Sequence, residues 1–180
     1  MHNDIAKQLA QKIAGKSAKV AVIGLGYVGL PLLAAFHDFG FPVLGFDIDP
    51  EKPELLKQGR NYLPHLGPDL CAAFAGSARF EATTDPAQLR ACDVIIVCVP
   101  TPLGVHGEPD LSYVINTGRM IGTHAREGQL IVLESTSYPG TTRQDLWPAV
   151  AASAKLEQDL SLVSGRNCFI AFSPEREDPG

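Results

Sequence analysis

Apolar positions along the chain fall into short strand-sized blocks, separated by stretches whose apolar residues recur at helical spacing. Ile5, Leu9 and Ile13 stand four apart among Lys7, Gln8, Gln11 and Lys12, which predicts a short amphipathic helix over 4–14 that Gly15 ends. The pattern leaves open whether this helix packs on the domain or on a partner. The run K-V-A-V-I-G at 19–24 predicts a strand, 27–39 a helix, 41–47 a second strand and 50–58 a short helix with Glu51 and Glu54 near its positive end. Residues 59–67, with Gly, Asn and Pro, predict a loop; 69–75 a helical piece, 79–82 a weak strand and 86–91 a short helix. D-V-I-I-V-C-V at 93–99 is apolar throughout, as in a strand covered on both faces. After a Pro- and Gly-containing loop over 100–109, Asp110 or Ser112 is expected to cap a helix reaching about residue 125. A strand at 129–133, a hydroxyl-rich loop at 135–140, a helix at 141–152 kinked or interrupted by Pro148 and a last strand at 167–172 complete the reading, with 153–165 unassigned.

Strands alternating with helices predict an α/β fold, a Rossmann-type doubly wound parallel sheet. We read a single domain over 18–180, preceded by a helical extension over 1–17. Ligands of such folds bind beyond the carboxyl ends of the strands. That rule singles out the loops 24–29, 47–52, 99–110, 134–142 and 173–180.

Composition narrows the partners. A net charge of −5 argues against a nucleic-acid binder, which ordinarily carries a basic patch. No apolar run approaches the ~18–20 residues of a membrane span, and the N-terminus lacks a signal-peptide core, so the expectation is a cytoplasmic protein with no membrane partner. Cys71, Cys92, Cys98 and Cys168 form no C-x-x-C pair, and the five histidines have no metal-ligand spacing. We therefore expect no metal and read Cys92 and Cys98, in their apolar segment, as small buried hydrophobes.

Gly24-Leu25-Gly26-Tyr27-Val28-Gly29 matches G-x-G-x-x-G. The match gains weight from its place between a predicted strand and a predicted helix. Gly24 permits the turn, Gly26 lets a pyrophosphate approach the backbone, and Gly29 lets helix and sheet pack closely. The free amides at the helix start then face the phosphates. Asp47, at the end of the second strand, stands where a carboxylate would accept the adenosine ribose hydroxyls, which favours NAD over NADP. Lys52 can reach the same end and weakens that preference. The plain alternative, a glycine turn beside a solvated Asp, has to make strand, spacing and acid coincidental.

Two further loops could carry chemistry. Val99-Pro100-Thr101-Pro102 is stiffened by its prolines and suits a wall beside the nicotinamide ribose, or a plain connection. The segment 134–142 offers six hydroxyls at a strand's mouth, where Ser135 and Thr136 could bind cofactor or a catalytic water and Thr141 or Thr142 could cap the next helix. No histidine neighbours them and no G-x-S-x-G exists, so a serine-hydrolase reading fails. Glu175 and Glu177 lie near the active edge, or form a plain surface charge cluster.

Taken together, V-I-G-L-G-Y-V-G-L-P at 22–31, G-F-D-I-D at 45–49, C-V-P-T-P-L at 98–103, E-P-D-L-S-Y-V-I-N at 108–116, L-E-S-T-S-Y-P-G-T-T at 133–142 and S-P-E-R-E-D-P-G at 173–180 resemble the UDP-glucose/GDP-mannose dehydrogenase family. Their form is most similar to its bacterial UDP-N-acetylglucosamine 6-dehydrogenase branch. The resemblance implies oxidation of a UDP-sugar alcohol through an aldehyde to a uronic acid with two NAD, in a capsule or O-antigen pathway. A cysteine captures the aldehyde, and water cleaves the resulting thioester. Thr136 matches the family's water-holding threonine, and Glu175 matches the glutamate acting as general base. Gly24, Gly26, Tyr27, Val28, Gly29, Asp47, Lys52, Val99, Pro100, Thr101, Ser135 and Thr136 match cofactor-contacting or cofactor-lining positions.

The family's nucleophilic cysteine, a lysine and an asparagine come from a later helical segment and a second, UDP-sugar domain, and none of the four cysteines here matches that nucleophile. The expectation is that this chain, a truncated form or a fragment, binds NAD without turning over alone, and that the full-length protein is a homo-oligomer. The competing readings are a non-catalytic NAD-sensing module, which has no need of a water-activating edge, and another two-domain dehydrogenase of hydroxyacid type, which leaves the 133–142 loop unexplained. Glucose, N-acetylglucosamine, N-acetylgalactosamine and N-acetylmannosamine all stay open as the sugar.

Overall fold

In a computed structural model, residues 2–67, 69–103 and 109–174 are described. The strands are β1 (Val20–Ile23), β2 (Val43–Phe46), β3 (Phe80–Thr83), β4 (Val94–Val97), β5 (Leu130–Leu133) and β6 (Phe169–Phe172). They form one sheet in the order β3-β2-β1-β4-β5-β6, every pair parallel. Among the described residues, five α-helices accompany them: α1 (His2–Ala14), α2 (Gly29–Asp38), α3 (Glu51–Lys57), α4 (Ser112–His124) and α5 (Trp147–Gln158). The predicted doubly wound parallel sheet is the observed one. The chain runs outward from β1 through β2 to β3 and then returns to β4 on the other side of β1. That reversal leaves a crevice above the carboxyl ends of β1 and β4.

Alternation along each strand divides the core in two. Ala21, Ile23, Ile95 and Val97 face one layer, with Val114 and Ile121 of α4 and Val150 of α5. Val20, Val22, Val94 and Ile96 face the other, with Leu30 and Leu33 of α2 and Phe74. Both faces of β1 and β4 are thus covered, which is why their sequences are apolar without interruption. The amphipathic α1 packs on the domain itself: Leu9 joins the second layer, and Lys12 pairs with the buried Asp93 at 2.8 Å. Asp93 also accepts from Arg126 at 2.8 Å and from the Lys19 amide at 3.1 Å, so one carboxylate ties α1 to the lower ends of β1 and β4.

Several local expectations need correction. The helix after the glycine motif opens at Gly29, two residues later than predicted, because residues 26–28 form a bend and turn. The pieces at 64–66, 72–74 and 86–91 are 3-10 turns. Near Pro148 the α-helical pattern is interrupted: a π turn over Thr142–Leu146 leads into α5, and Pro148 falls in the first turn of α5, where a missing N–H is tolerated. Neither threonine caps that turn through its side chain; Thr141 Oγ1 donates instead to the Tyr138 carbonyl at 2.9 Å. Asp110 supports the start of α4, accepting from the Ser112 amide at 2.8 Å.

Candidate functional site

The glycine loop leaves β1 by a turn that needs glycine twice. Gly24 has φ +89°, and a Cβ there would lie 2.5 Å from the Cys98 carbonyl oxygen. A Cβ on Gly29 would lie 1.9 Å from the Gly24 carbonyl oxygen, so helix and turn could not close together. Gly26 differs: a Cβ there would meet nothing within 4 Å. The fold itself therefore does not require glycine here, and the backbone stays open to whatever approaches the loop.

Above the loop is a cleft of about 610 Å³. Gly24, Gly26, Asp47, Lys52, Val99 and Pro100 all line it. A second hollow of about 250 Å³ continues from Gly26, Val99 and Pro100 to Tyr27, Val28, Thr101, Ser135 and Thr136. The two share the Gly26 edge and the start of the β4 loop, and together they follow the switch point between β1 and β4. Gly29 lines neither hollow and acts through packing. Glu175 lies outside the described residues.

Asp47 is 5% exposed at the end of β2. Its Oδ2 accepts from the Leu25 amide and from Lys52 Nζ, both at 2.8 Å, and its Oδ1 accepts from the Asp49 amide at 3.0 Å. The carboxylate thus holds the glycine loop as well as facing the cleft. A carboxylate oxygen has two lone pairs, so Oδ1 keeps a place for a hydroxyl donor. Lys52 compensates the buried charge at the site's mouth.

At the other end, hydroxyls tie two loops together. Ser135 Oγ donates to the Val99 carbonyl at 2.7 Å, and Thr101 Oγ1 donates to the Thr136 carbonyl at 2.7 Å. The Ser135 hydroxyl therefore turns inward to the β4 loop, where the sequence suggested the crevice. Pro100 and Pro102 need not donate, because the loop is held by accepting from, and donating to, the 134–142 segment.

The sequence reading assigned no role to one wall of the larger cleft. Tyr113, Asn116 and Met120 of α4 line it. Their spacing of three and four puts them on one helical face, and that face points to the strand ends; the spacing alone was the available signal. Three cysteines have no part in the site. Burial pushes the Cys71 and Cys168 thiols up to about 11 and that of Cys92 up to about 12, so they stay protonated. Cys98, expected to be a small buried hydrophobe, packs against the second core layer but is only half-buried and lines both hollows. No group of three or more His, Cys, Asp or Glu among the described residues is placed to hold a metal ion, and no described helix is long and apolar enough to cross a membrane.

The geometry fits a dinucleotide: an open backbone edge at Gly26, a buried carboxylate at the β2 end and a cleft continuing past both. Comparison with known proteins bears on which. Residues 18–180 match the model of the UDP-glucose/GDP-mannose dehydrogenase family, NAD binding domain. A UDP-N-acetyl-D-glucosamine 6-dehydrogenase from Pseudomonas aeruginosa is 36% identical over 92% of this chain and 37% of its own length. A UDP-N-acetyl-D-mannosamine dehydrogenase from Methanococcus aeolicus is 33% identical over 90% of this chain and 35% of its own length. Among solved structures, a ternary complex of GDP-mannose dehydrogenase from Pseudomonas aeruginosa is similar with a TM-score of 0.77 and 28% identity, covering 87% of this chain and 36% of that one. The chain thus spans little more than a third of the relatives it matches.

Proposed function

Because the chain belongs to the UDP-glucose/GDP-mannose dehydrogenase family and comprises its NAD-binding domain, we propose that it holds NAD for the 6-oxidation of a UDP-N-acetylhexosamine to its uronic acid. The observation that carries the reading is the pairing of Gly26, where a side chain would meet only open space, with Asp47, whose buried carboxylate holds the adjoining loop. The sugar is proposed from the names of the relatives: the 36%-identical one oxidises UDP-N-acetyl-D-glucosamine, and others act on UDP-N-acetyl-D-mannosamine.

In this reading the Gly26 edge and the first amides of α2 grip the pyrophosphate, with the partial positive charge of the helix start behind them. Asp47 accepts the ribose hydroxyls, and its negative charge disfavours a 2′-phosphate. The α4 face of Tyr113, Asn116 and Met120 walls the adenosine end. Val99, Pro100 and Thr101 set the wall of the nicotinamide end, fixed by Ser135 and Thr136. When bound, NAD takes up the electrons removed from the sugar carbon. Thr136, at the mouth of β5, orients the hydrolytic water, and Glu175 accepts its proton. The nucleophilic cysteine is proposed to come from another part of the whole protein: burial keeps Cys71, Cys92 and Cys168 protonated, and Cys98 does not match the family's nucleophile.

The test is a titration of this chain with NAD, followed by turnover of UDP-N-acetylglucosamine, UDP-N-acetylmannosamine and UDP-glucose by the full-length protein. NAD is expected to bind, and both N-acetylated sugars are expected to outrun UDP-glucose. Absence of NAD binding by the folded chain ends the proposal, and faster oxidation of UDP-glucose overturns the choice of sugar.

A further inference from the structure

Leu25 is held from both sides. Its N–H donates to Asp47 Oδ2 at 2.8 Å, and its carbonyl accepts from the Tyr62 hydroxyl at 2.6 Å. Tyr62 lines neither hollow; it sits in the connection that follows α3. That connection is built to be stiff. The Asn61 side chain accepts from the Leu63 amide at 2.8 Å and donates to the carbonyls of Leu63 and Gly67, closing the segment on itself. Tyr62 and Leu63 pack against the core layer beneath α2. Three residues on, the His65 ring lies 4.7 Å from the Tyr27 ring. The segment touches the glycine loop at Leu25 and at Tyr27, on either side of Gly26.

We propose that Tyr62 is a positioning residue, which fixes the Leu25 carbonyl and thereby aims the Gly26 N–H into the cleft, while His65 steadies Tyr27 on the far side. The Leu25 carbonyl and the Gly26 N–H belong to one peptide unit, and no described peptide bond is cis. In a trans peptide these two groups point in opposite directions. Holding the carbonyl toward Tyr62 therefore turns the N–H away from it. A glycine peptide is otherwise the softest in the loop, so an outside tie is needed to preset it. Burial, then the charges of Asp47 and Asp49, push the Tyr62 phenol well above its ordinary range and keep it a donor. A donor amide already aimed at its target spares the ordering cost at the moment of binding.

The inference rests on the dinucleotide reading of the cleft, and its test separates the two. Tyr62→Phe keeps the ring and removes only the hydroxyl. In this chain it is expected to raise the NAD Kd about 3- to 10-fold, the weight of one hydrogen bond. The ligand-free 1H–15N resonance of the Gly26 amide is expected to shift or broaden, while amides in β5 stay in place. His65→Ala is expected to weaken NAD binding in the same direction by a smaller factor. Wild-type NAD affinity in Tyr62→Phe, or a Gly26 amide indistinguishable from wild type, overturns the proposal. If the wild-type chain shows no NAD affinity, the functional reading falls by itself. The ligand-free Gly26 amide then still decides whether Tyr62 orients that peptide. A merely structural role would lower the melting temperature and leave the Gly26 amide no more affected than its neighbours.

Discussion

Substituting alanine for each motif glycine in turn separates what the fold needs from what the ligand needs. At Gly24 the new Cβ meets the Cys98 carbonyl oxygen at 2.5 Å with φ at +89°, and at Gly29 it meets the Gly24 carbonyl oxygen at 1.9 Å. Both neighbours are backbone, which cannot swing aside. Each substitution therefore costs a backbone rearrangement, about 1–3 kcal/mol or more, on top of the αL penalty of ~1–2 kcal/mol at Gly24. At Gly26 the Cβ meets nothing within 4 Å, and φ lies outside the left-handed region. Gly26→Ala is expected to leave stability within about 0.5 kcal/mol of wild type, or to raise it slightly by restricting the unfolded chain.

Its effect on NAD is the opposite. The methyl group projects over the Gly26 edge that both hollows share, where a phosphate oxygen has to come within ~3 Å of the amide. Losing one hydrogen bond to a charged oxygen costs about 1.5–3 kcal/mol, which raises the Kd roughly 10- to 150-fold. Urea denaturation gives the stability of each variant, and calorimetric titration gives the NAD affinity. A Gly26→Ala protein that binds NAD like wild type refutes the placement of the pyrophosphate. One that unfolds like Gly24→Ala refutes the claim that this glycine serves the ligand alone.

Asp47→Asn is expected to weaken NAD binding about 10-fold or more, because it removes a charged acceptor for the ribose and loosens the Leu25 tie; unchanged affinity by titration would place the ribose elsewhere. Burial works to raise the Asp93 pKa, but hydrogen bonds from Lys12, Arg126 and the Lys19 amide outweigh it and hold the group below its ordinary value. A depressed folded-state pKa gives stability that is present above the unfolded value of ~3.9 and lost as pH falls through the folded one. Asp93→Asn is therefore expected to cost about 2 kcal/mol at pH 7 and to unfold less steeply below about pH 4 than wild type, as followed by circular dichroism. Gly122→Ala in α4 gains ~1 kcal/mol of helix propensity, but its Cβ would lie 2.3 Å from the Val150 carbonyl oxygen of α5. Net destabilisation by about 2 kcal/mol is expected on denaturation, and a stabilised variant would show that α4 and α5 separate freely.

The features legible in the sequence were those written in local pattern. Uninterrupted apolar runs marked β1 and β4 because two layers cover them, and alternation of strands and helices implied a parallel, doubly wound sheet. The glycine spacing and Asp47 pointed to loops that line one cleft, because the turn after β1 is a local need of the backbone. Details that depend on distant contacts were not legible. The inward turn of the Ser135 hydroxyl toward Val99 follows from a contact between the loops after β4 and β5. The residues that line the far wall, Tyr113, Asn116 and Met120, share a helical face that could equally have met the core.

The connection over 60–67 shows the limit most clearly. Its Gly, Asn and Pro content announces a loop, and nothing in the composition announces that the loop reaches back to residue 25. Yet Leu25 is held through both of its backbone groups by two separate connections, its N–H by Asp47 after β2 and its carbonyl by Tyr62 after α3. The motif G-x-G-x-x-G states that the backbone must come close to a ligand, but the direction of its amides is set by side chains outside the motif. A chain with the same glycines and neither of these ties would keep the turn and lose the aim. On this reasoning the affinity for NAD should respond to Asp47 and Tyr62 together: with both ties removed the loss should differ from the sum of the single losses, because both act on one peptide segment. A double-mutant cycle that is additive within about 0.3 kcal/mol would show instead that the two ties act independently.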